Sequence, residues 1–234
     1  MSEPVFHRYE TREALAEALA SGVAAVLAGA IATEGTARLA VSGGSTPKLF
    51  FEKLAATEID WHAVTITLVD ERWVPESHTR SNAAMLRDHL LTGPAAAAQF
   101  VPLYEPSEIP EEVFDRLNDR FHRIGHGFDA AILGMGTDGH TASWFPHAPG
   151  LTESLDPQTE NSVAIVHPND GYEARATLTF PMIIDARFLA LHIEGEDKLR
   201  SFEAAKAEGP VEAMPVRAVL RADRDPPFAV FWAP

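Results

Sequence analysis

Hydrophobic and polar positions along this chain follow two rhythms, one helical and one extended. Residues 14–32 are alanine-rich and read as a helix. Residues 37–41 make a short strand, and Pro47 opens a helix running to about Ala55, since proline fits the first turn of a helix. Residues 64–69 (Val-Thr-Ile-Thr-Leu-Val) alternate β-branched and apolar side chains and read as a strand. A helix is expected over residues 81–91, with Ser81 or Asn82 near its cap. Another, amphipathic, is expected over residues 111–124, reached through a link carrying Pro102, Pro106 and Pro110. The apolar run 128–133 reads as a buried strand. Strands at residues 163–166, 176–180, 188–193 and 228–232 and a helix over 196–206 complete the pattern. Strands alternating with helices predict an α/β fold with a parallel, doubly wound sheet. No internal repeat or low-complexity linker divides the chain, and residues 146–159 read as a loop excursion. One domain over residues 1–234 is therefore expected.

Three loops fall at the carboxyl ends of predicted strands, where open α/β sheets place their ligands. The third, Gly134-Met135-Gly136-Thr137-Asp138-Gly139-His140, carries three glycines that let the backbone turn sharply. Asp138 and His140 lie at its mouth. Histidine has an unperturbed pKa suited to proton transfer near neutral pH, and a neighbouring carboxylate can orient it or raise its basicity. Taken without that carboxylate, His140 reads equally well as a capping or core histidine. The glycine spacing formally matches a dinucleotide fingerprint. That reading fails, because Asp138 would repel a pyrophosphate and no strand ending in an acid follows about twenty residues on.

The first loop, Ser42-Gly43-Gly44-Ser45-Thr46-Pro47, joins a strand to a helix and offers backbone N–H groups and three hydroxyls, as an anion site needs. A tight turn with a serine cap accounts for it as well. It lacks the Gly-Lys-Ser/Thr ending of a P-loop, and Pro47 stands where a nucleophile elbow needs its second glycine. The second loop, Asp70-Glu71-Arg72, is either a solvated charge cluster or a wall of the same crevice with Arg72 as a forked anion donor. From the residues alone Lys198 reads as a surface cation before it reads as an anion ligand, and Arg175 is equally ambiguous.

Composition narrows the functions open to the chain. A net charge of -15 over 234 residues opposes a nucleic acid or an anionic membrane surface as partner. The longest clean apolar run, residues 22–32, is about half the length of a membrane-spanning helix. Residues 1–12 carry Glu3, His7, Arg8 and Glu10 and lack a secretory signal pattern. The chain has no cysteine, which removes disulfides, thiolate nucleophiles and thiolate metal sites and fits a cytoplasmic location. The histidines other than His140, His126 and His192 among them, show no metal-ligand spacing, so no metal is expected.

Together, the blocks at residues 41–47, 69–75 with Ser81-Asn82, and 133–146 resemble the 6-phosphogluconolactonase family, in its order and spacing. The resemblance covers nearly the whole chain. It implies a Rossmann-like, mostly parallel sheet flanked by helices, as in the related glucosamine-6-phosphate deaminases. It further implies hydrolysis of 6-phospho-D-glucono-1,5-lactone to 6-phospho-D-gluconate in the pentose phosphate pathway, without cofactor or metal. By matching motifs, His140 would activate water and Asp138 would support it or hold the sugar. Ser42, Gly43, Gly44, Ser45, Thr46 and Asp70 would lie against the ligand, and Arg72, Lys198 and Arg175 would hold the phosphate. One departure is Arg80, where many relatives carry an acid; it is either an added phosphate contact or an exposed cation. Two rivals differ in their requirements. An aminosugar-phosphate deaminase would carry a Glu five residues after His140, where this chain has Phe145, and a Tyr at position 72. A sugar-phosphate-sensing module would need a DNA-binding segment for which this chain has no spare residues. The partner expected is thus a small sugar-phosphate lactone, bound by a monomer.

Overall fold

The computed structural model describes residues 3–125, 127–169 and 171–234. Its elements, in chain order, begin with β1 (Val5–Arg8), α1 (Arg12–Glu34), β2 (Ala37–Val41), α2 (Lys48–Ala55), β3 (Val64–Leu68), β4 (Asp70–Arg72), α3 (Asn82–His89), β5 (Gln99–Val101) and α4 (Phe114–Ile124). They continue with β6 (Ala130–Leu133), α5 (Leu151–Leu155), β7 (Val163–Val166), β8 (Arg175–Leu178), α6 (Phe180–Ile184), β9 (Phe188–Glu194), α7 (Glu196–Lys206), α8 (Val216–Leu220) and β10 (Ala229–Ala233).

Local chemistry sets many of these bounds. Thr11 caps α1 by accepting a hydrogen bond from the Ala14 amide at 3.1 Å, and Gly35, at φ 79°, ends it with a left-handed turn. Ser81 caps α3 in the same way through the Ala84 amide. A 3-10 turn over Pro110–Val113 precedes α4, which starts at Phe114. The last β8 residue is Leu178; Thr179 stands at the N-cap position of α6 with its hydroxyl donating to the Asn161 carbonyl, and the first turn of α6 holds Pro181. The expected strand at residues 176–180 therefore sits slightly earlier and gives way to a helix.

Seven strands form an all-parallel sheet in the order β1-β10-β9-β6-β2-β3-β5. β9 is buried nearly throughout, as a strand covered on both faces requires. From β2 the chain winds outward to β3 and β5, then returns to β6 and winds the other way. The reversal lies between β2 and β6, and a crevice opens there at the carboxyl ends of the strands. The edge strands β1 and β5 escape sequence reading. β1 is mostly exposed and β5 has three residues, so neither shows a clean alternation.

Not every predicted strand joins that sheet. β7 and β8 pair antiparallel with each other, and β8 pairs antiparallel with β4, in a separate sheet of order β4-β8-β7. Val69 is the hinge: its amide donates to Val41 in the large sheet and its carbonyl accepts from Leu178 in the small one. Helix α1 is also longer and more apolar than the sequence reading allowed. Over an 18-residue window its mean hydropathy is 1.9, enough by length and composition to cross a membrane. Here it lies on the large sheet and buries Leu15, Leu19, Val23 and Leu27 in the core.

Candidate active site

The loops after β2, β3, β6 and β9 enclose a cavity of about 240 Å³ at the switch point. Its wall includes Ser42, Gly43, Gly44, Ser45, Thr46, Asp70, Arg72, His140 and Lys198. Nine of the eleven residues expected at the site therefore meet in one place. Asp138 and Arg175 do not line it.

The loop after β6 is a tight turn closed on itself. The Gly136 amide donates to the His140 carbonyl at 2.8 Å, and the Gly139 amide to the Gly136 carbonyl at 3.0 Å. Asp138 Oδ1 accepts from the His140 backbone amide at 3.1 Å and lies 2.6 Å from His140 Nδ1. That contact assigns the proton to Nδ1 and leaves Nε2 as the ring's uncommitted nitrogen. Phe145 braces the imidazole, with ring centroids 4.7 Å apart. Burial alone would raise the Asp138 pKa, but its hydrogen bonds and charge interaction with His140 outweigh this and hold the carboxyl below its usual value. Gly136 is required by proximity: a Cβ there would lie 2.2 Å from His140 Nδ1 and 2.4 Å from Asp138 Oδ1. No helix starts after Gly139; the next is α5. A dinucleotide fingerprint would need a helix at that point, so its rejection stands on the structure too.

Hydrogen bonds across the crevice hold the loops together. Ser42 Oγ accepts from the Gly134 amide at 2.8 Å, joining the first loop to the third. Ser143 Oγ donates to Asp70 Oδ2 at 2.6 Å, joining the third to the second. Asn82 Nδ2 donates to the Asp70 carbonyl at 3.0 Å, and its amide group packs on Gly43, where a Cβ would fall 2.1 Å from Asn82 Cγ. Among the described residues, the backbone N–H groups of Gly43, Gly44 and Ser45 make no hydrogen bond within the fold. They stand on the cavity wall as ready donors.

Glu71 organises the second loop from beneath. Its buried carboxylate accepts from the amides of Arg72 (2.7 Å), Asn82 (2.8 Å) and Ala83 (2.7 Å) and from Ser81 Oγ (3.1 Å). Burial pushes its pKa up against the pull of these donors. The carboxylate also faces the start of α3, where the helix dipole favours negative charge.

The cations take distinct places. Lys198, in the first turn of α7, donates to the Met135 carbonyl. Burial lowers its pKa, and the charge of Asp138 opposes that shift. Arg72 Nη1 donates to the Arg80 carbonyl at 2.5 Å. Arg175 lies directly opposite Arg72 in the β4–β8 register. It is almost fully buried and pairs with Glu173 at 3.1 Å. Burial depresses its pKa, and the charges of Arg72 and Arg80 add to that.

Sequence reading passed over several residues that shape the site. Glu71, Asn82 and Ser143 are polar yet buried, a signal visible only after folding. His192 lines the cavity from β9, with Nε2 3.1 Å from Glu194 Oε1. Among the described residues no group of three or more His, Asp or Glu could hold a metal ion; His126 lies outside them.

Residues 10–231 match the family model described as glucosamine-6-phosphate isomerases/6-phosphogluconolactonase. A 6-phosphogluconolactonase of Rhizobium meliloti is 49% identical over 228 residues, covering 97% of this chain and 98% of that protein. A 6-phosphogluconolactonase of Pseudomonas aeruginosa is 43% identical over 220 residues, covering 94% of this chain and 90% of that protein. The crystal structure of a 6-phosphogluconolactonase from Shewanella baltica superposes with a TM-score of 0.95 at 39% identity, covering 100% of this chain and 99% of that one.

Proposed function

The chain belongs to the glucosamine-6-phosphate isomerase/6-phosphogluconolactonase family, and on that premise we propose that it hydrolyses 6-phospho-D-glucono-1,5-lactone to 6-phospho-D-gluconate with His140 as general base. It is a lactone hydrolase. The observation that carries the assignment of the base is His140, on the wall of a cavity also lined by Lys198 and Arg72, with its Nδ1 2.6 Å from Asp138.

In this reading, His140 Nε2 takes a proton from water as the water oxygen adds to the lactone carbonyl. Asp138 stabilises the imidazolium that forms. The tetrahedral intermediate collapses, the bond from C1 to the ring oxygen breaks, and the imidazolium returns the proton to that oxygen. A δ-lactone is an activated ester, so no covalent nucleophile is needed. A positioned base supplies roughly 10²–10⁴-fold. Lys198 and Arg72, with Arg175 behind Arg72, hold the phosphate, and that remote binding energy fixes the carbonyl beside the base. The free N–H groups of Gly43, Gly44 and Ser45 are the donors best placed for the developing oxyanion. Phe145, which packs on His140, occupies the position where the deaminase chemistry requires a carboxylate. The protein acts as a monomer and a single domain in the cytoplasm, on a small sugar phosphate.

The test is hydrolysis of freshly generated 6-phosphogluconolactone in chelator, above the spontaneous background, by wild type and His140→Ala. Rapid wild-type turnover that the variant loses supports the reading. Wild-type activity retained in the variant removes His140 as base, and no wild-type acceleration removes the lactonase reading.

A further inference from the structure

Arg80 belongs to a cluster that the reaction as described leaves unexplained. Arg80 Nη2 and Arg175 Nη1 each lie 3.1 Å from the same oxygen, Glu173 Oε1. That oxygen is buried, yet neither contact has the alignment of a hydrogen bond. Arg175 Nη1 is aimed instead at the Glu173 backbone carbonyl, at 2.8 Å. The carboxylate is thus held by charge and not by a fork-to-fork fit, the geometry that makes such pairs strong.

The cluster adjoins the cavity. Arg72 lies on the cavity wall and is tied through Nη1 to the Arg80 carbonyl. The Arg175 guanidinium is 5.8 Å from the centroid of Phe145, the same ring that braces His140. Arg175 and the proposed base thus both lie against the same phenyl ring. Arg80 stacks at 4.1 Å on Tyr172, which holds its plane by the face and leaves its N–H edges for an anion.

Charge completes the case. Three guanidiniums face two carboxylates, those of Asp70 and Glu173, and Asp70 is held in place by Ser143. Removing Glu173 would leave two positive charges in excess. A phosphate monoester carries about -1.5 to -2 near neutral pH, so it matches the seat that Glu173 half fills. Arg175 is buried and crowded by the other two guanidiniums, so it needs an anion at all times.

We propose that Glu173 is the resident counter-ion of an anion seat formed by Arg80, Arg175 and Arg72, and that the substrate's phosphate takes its place on binding. Arg80 is then a substrate ligand that Glu173 screens in the empty enzyme. That the phosphate belongs to a lactone rests on the lactonase reading; the seat itself does not.

The experiment is calorimetric titration of the intact protein with inorganic phosphate, for wild type, Glu173→Gln and Arg80→Gln, with the thermal midpoint of each recorded. Removing the competing carboxylate should tighten phosphate binding about tenfold. It should also lower KM for the phosphorylated lactone. Removing Arg80 should weaken phosphate binding several-fold. Phosphate affinity unchanged or weaker in Glu173→Gln overturns the proposal. If that variant does not fold, Arg80→Gln decides, because it keeps the Arg175–Glu173 pair: unaltered phosphate affinity there overturns the proposal equally. A wild type that binds phosphate with these shifts but does not accelerate lactone hydrolysis overturns the lactonase reading and leaves the seat intact.

Discussion

Replacing Gly136 with alanine should disable the enzyme while leaving it folded. The new methyl group would lie 2.2 Å from His140 Cε1 and Nδ1 and 2.4 Å from Asp138 Oδ1. Unstrained contacts between such atoms begin near 3.5 Å, so both side chains must retreat by about 1 Å or more. Phe145 blocks one direction for the imidazole, and the short bond to Asp138 resists another. A misplacement of about 1 Å at a catalytic group can lower the rate about 10²-fold. The backbone itself tolerates alanine, since Gly136 is not among the glycines with positive φ. Its hydrogen bonds, amide to His140 and carbonyl from Gly139, use atoms that alanine keeps. The expected result is therefore a kcat about 10² lower, with a thermal midpoint within a few degrees of wild type. Proton release during lactone hydrolysis, followed by pH-stat against the spontaneous rate, reads kcat directly. Gly29→Ala is the internal control. It lies in α1, nothing falls within 4 Å of its added Cβ, and it should gain about 0.5–1 kcal/mol of stability with unchanged turnover. A folded Gly136→Ala enzyme that works at the wild-type rate would refute the claim that the Asp138–His140 geometry carries the chemistry.

Three further outcomes follow from the same contacts. Lys198→Ala should lower kcat/KM for the phosphorylated lactone roughly 10- to 100-fold, the worth of a charged hydrogen bond, and hardly affect an unphosphorylated lactone; an unchanged ratio between the two removes Lys198 from the phosphate site. Because the native fold lowers the Asp138 pKa, its ionised form contributes stability above the unfolded pKa, and this is lost as pH falls through the depressed folded value. The stability difference between wild type and Asp138→Asn, from denaturant midpoints, should shrink as pH falls through that acid range. Glu71→Gln replaces an oxygen that accepts from amides with an NH2 group, and should destabilise the fold by about 3 kcal/mol or more. It should also weaken substrate binding, because Arg72 and Asn82 lose their anchor; wild-type stability by denaturation would remove Glu71 as organiser of that loop.

Local rhythm carries a good part of this structure. Strands β2 and β7 and helix α7 match their expected bounds, and β3, β6 and β9 fall within one or two residues, because each is written in side chains a few positions apart. The Asp138–His140 pair was equally legible. Its partners are two residues apart, and a glycine turn between a strand and a loop leaves them little choice but to meet. The first and third loops were also placed correctly at the carboxyl edge, since a parallel sheet sends every βα turn to the same side; residues 70–72 reach the same crevice, but as strand β4 and not as a loop.

The tertiary structure decided everything that joins distant segments. Nothing near residues 175–178 or 70–72 announces that they leave the main sheet and pair antiparallel, yet that register sets Arg72 against Arg175. The Ser143–Asp70 bond spans 73 positions and the Lys198–Met135 bond 63. The Arg80–Glu173 pair likewise joins loops remote in the chain. Such contacts depend on how twisted layers stack, and the period of hydrophobic residues holds no record of that. The sequence alone determined the inner strands of the large sheet, the glycine turns and the pairing of Asp138 with His140. Packing decided which cations face the cavity and which carboxylates hold them, because charges act through space and the local pattern reaches only a few residues along the chain.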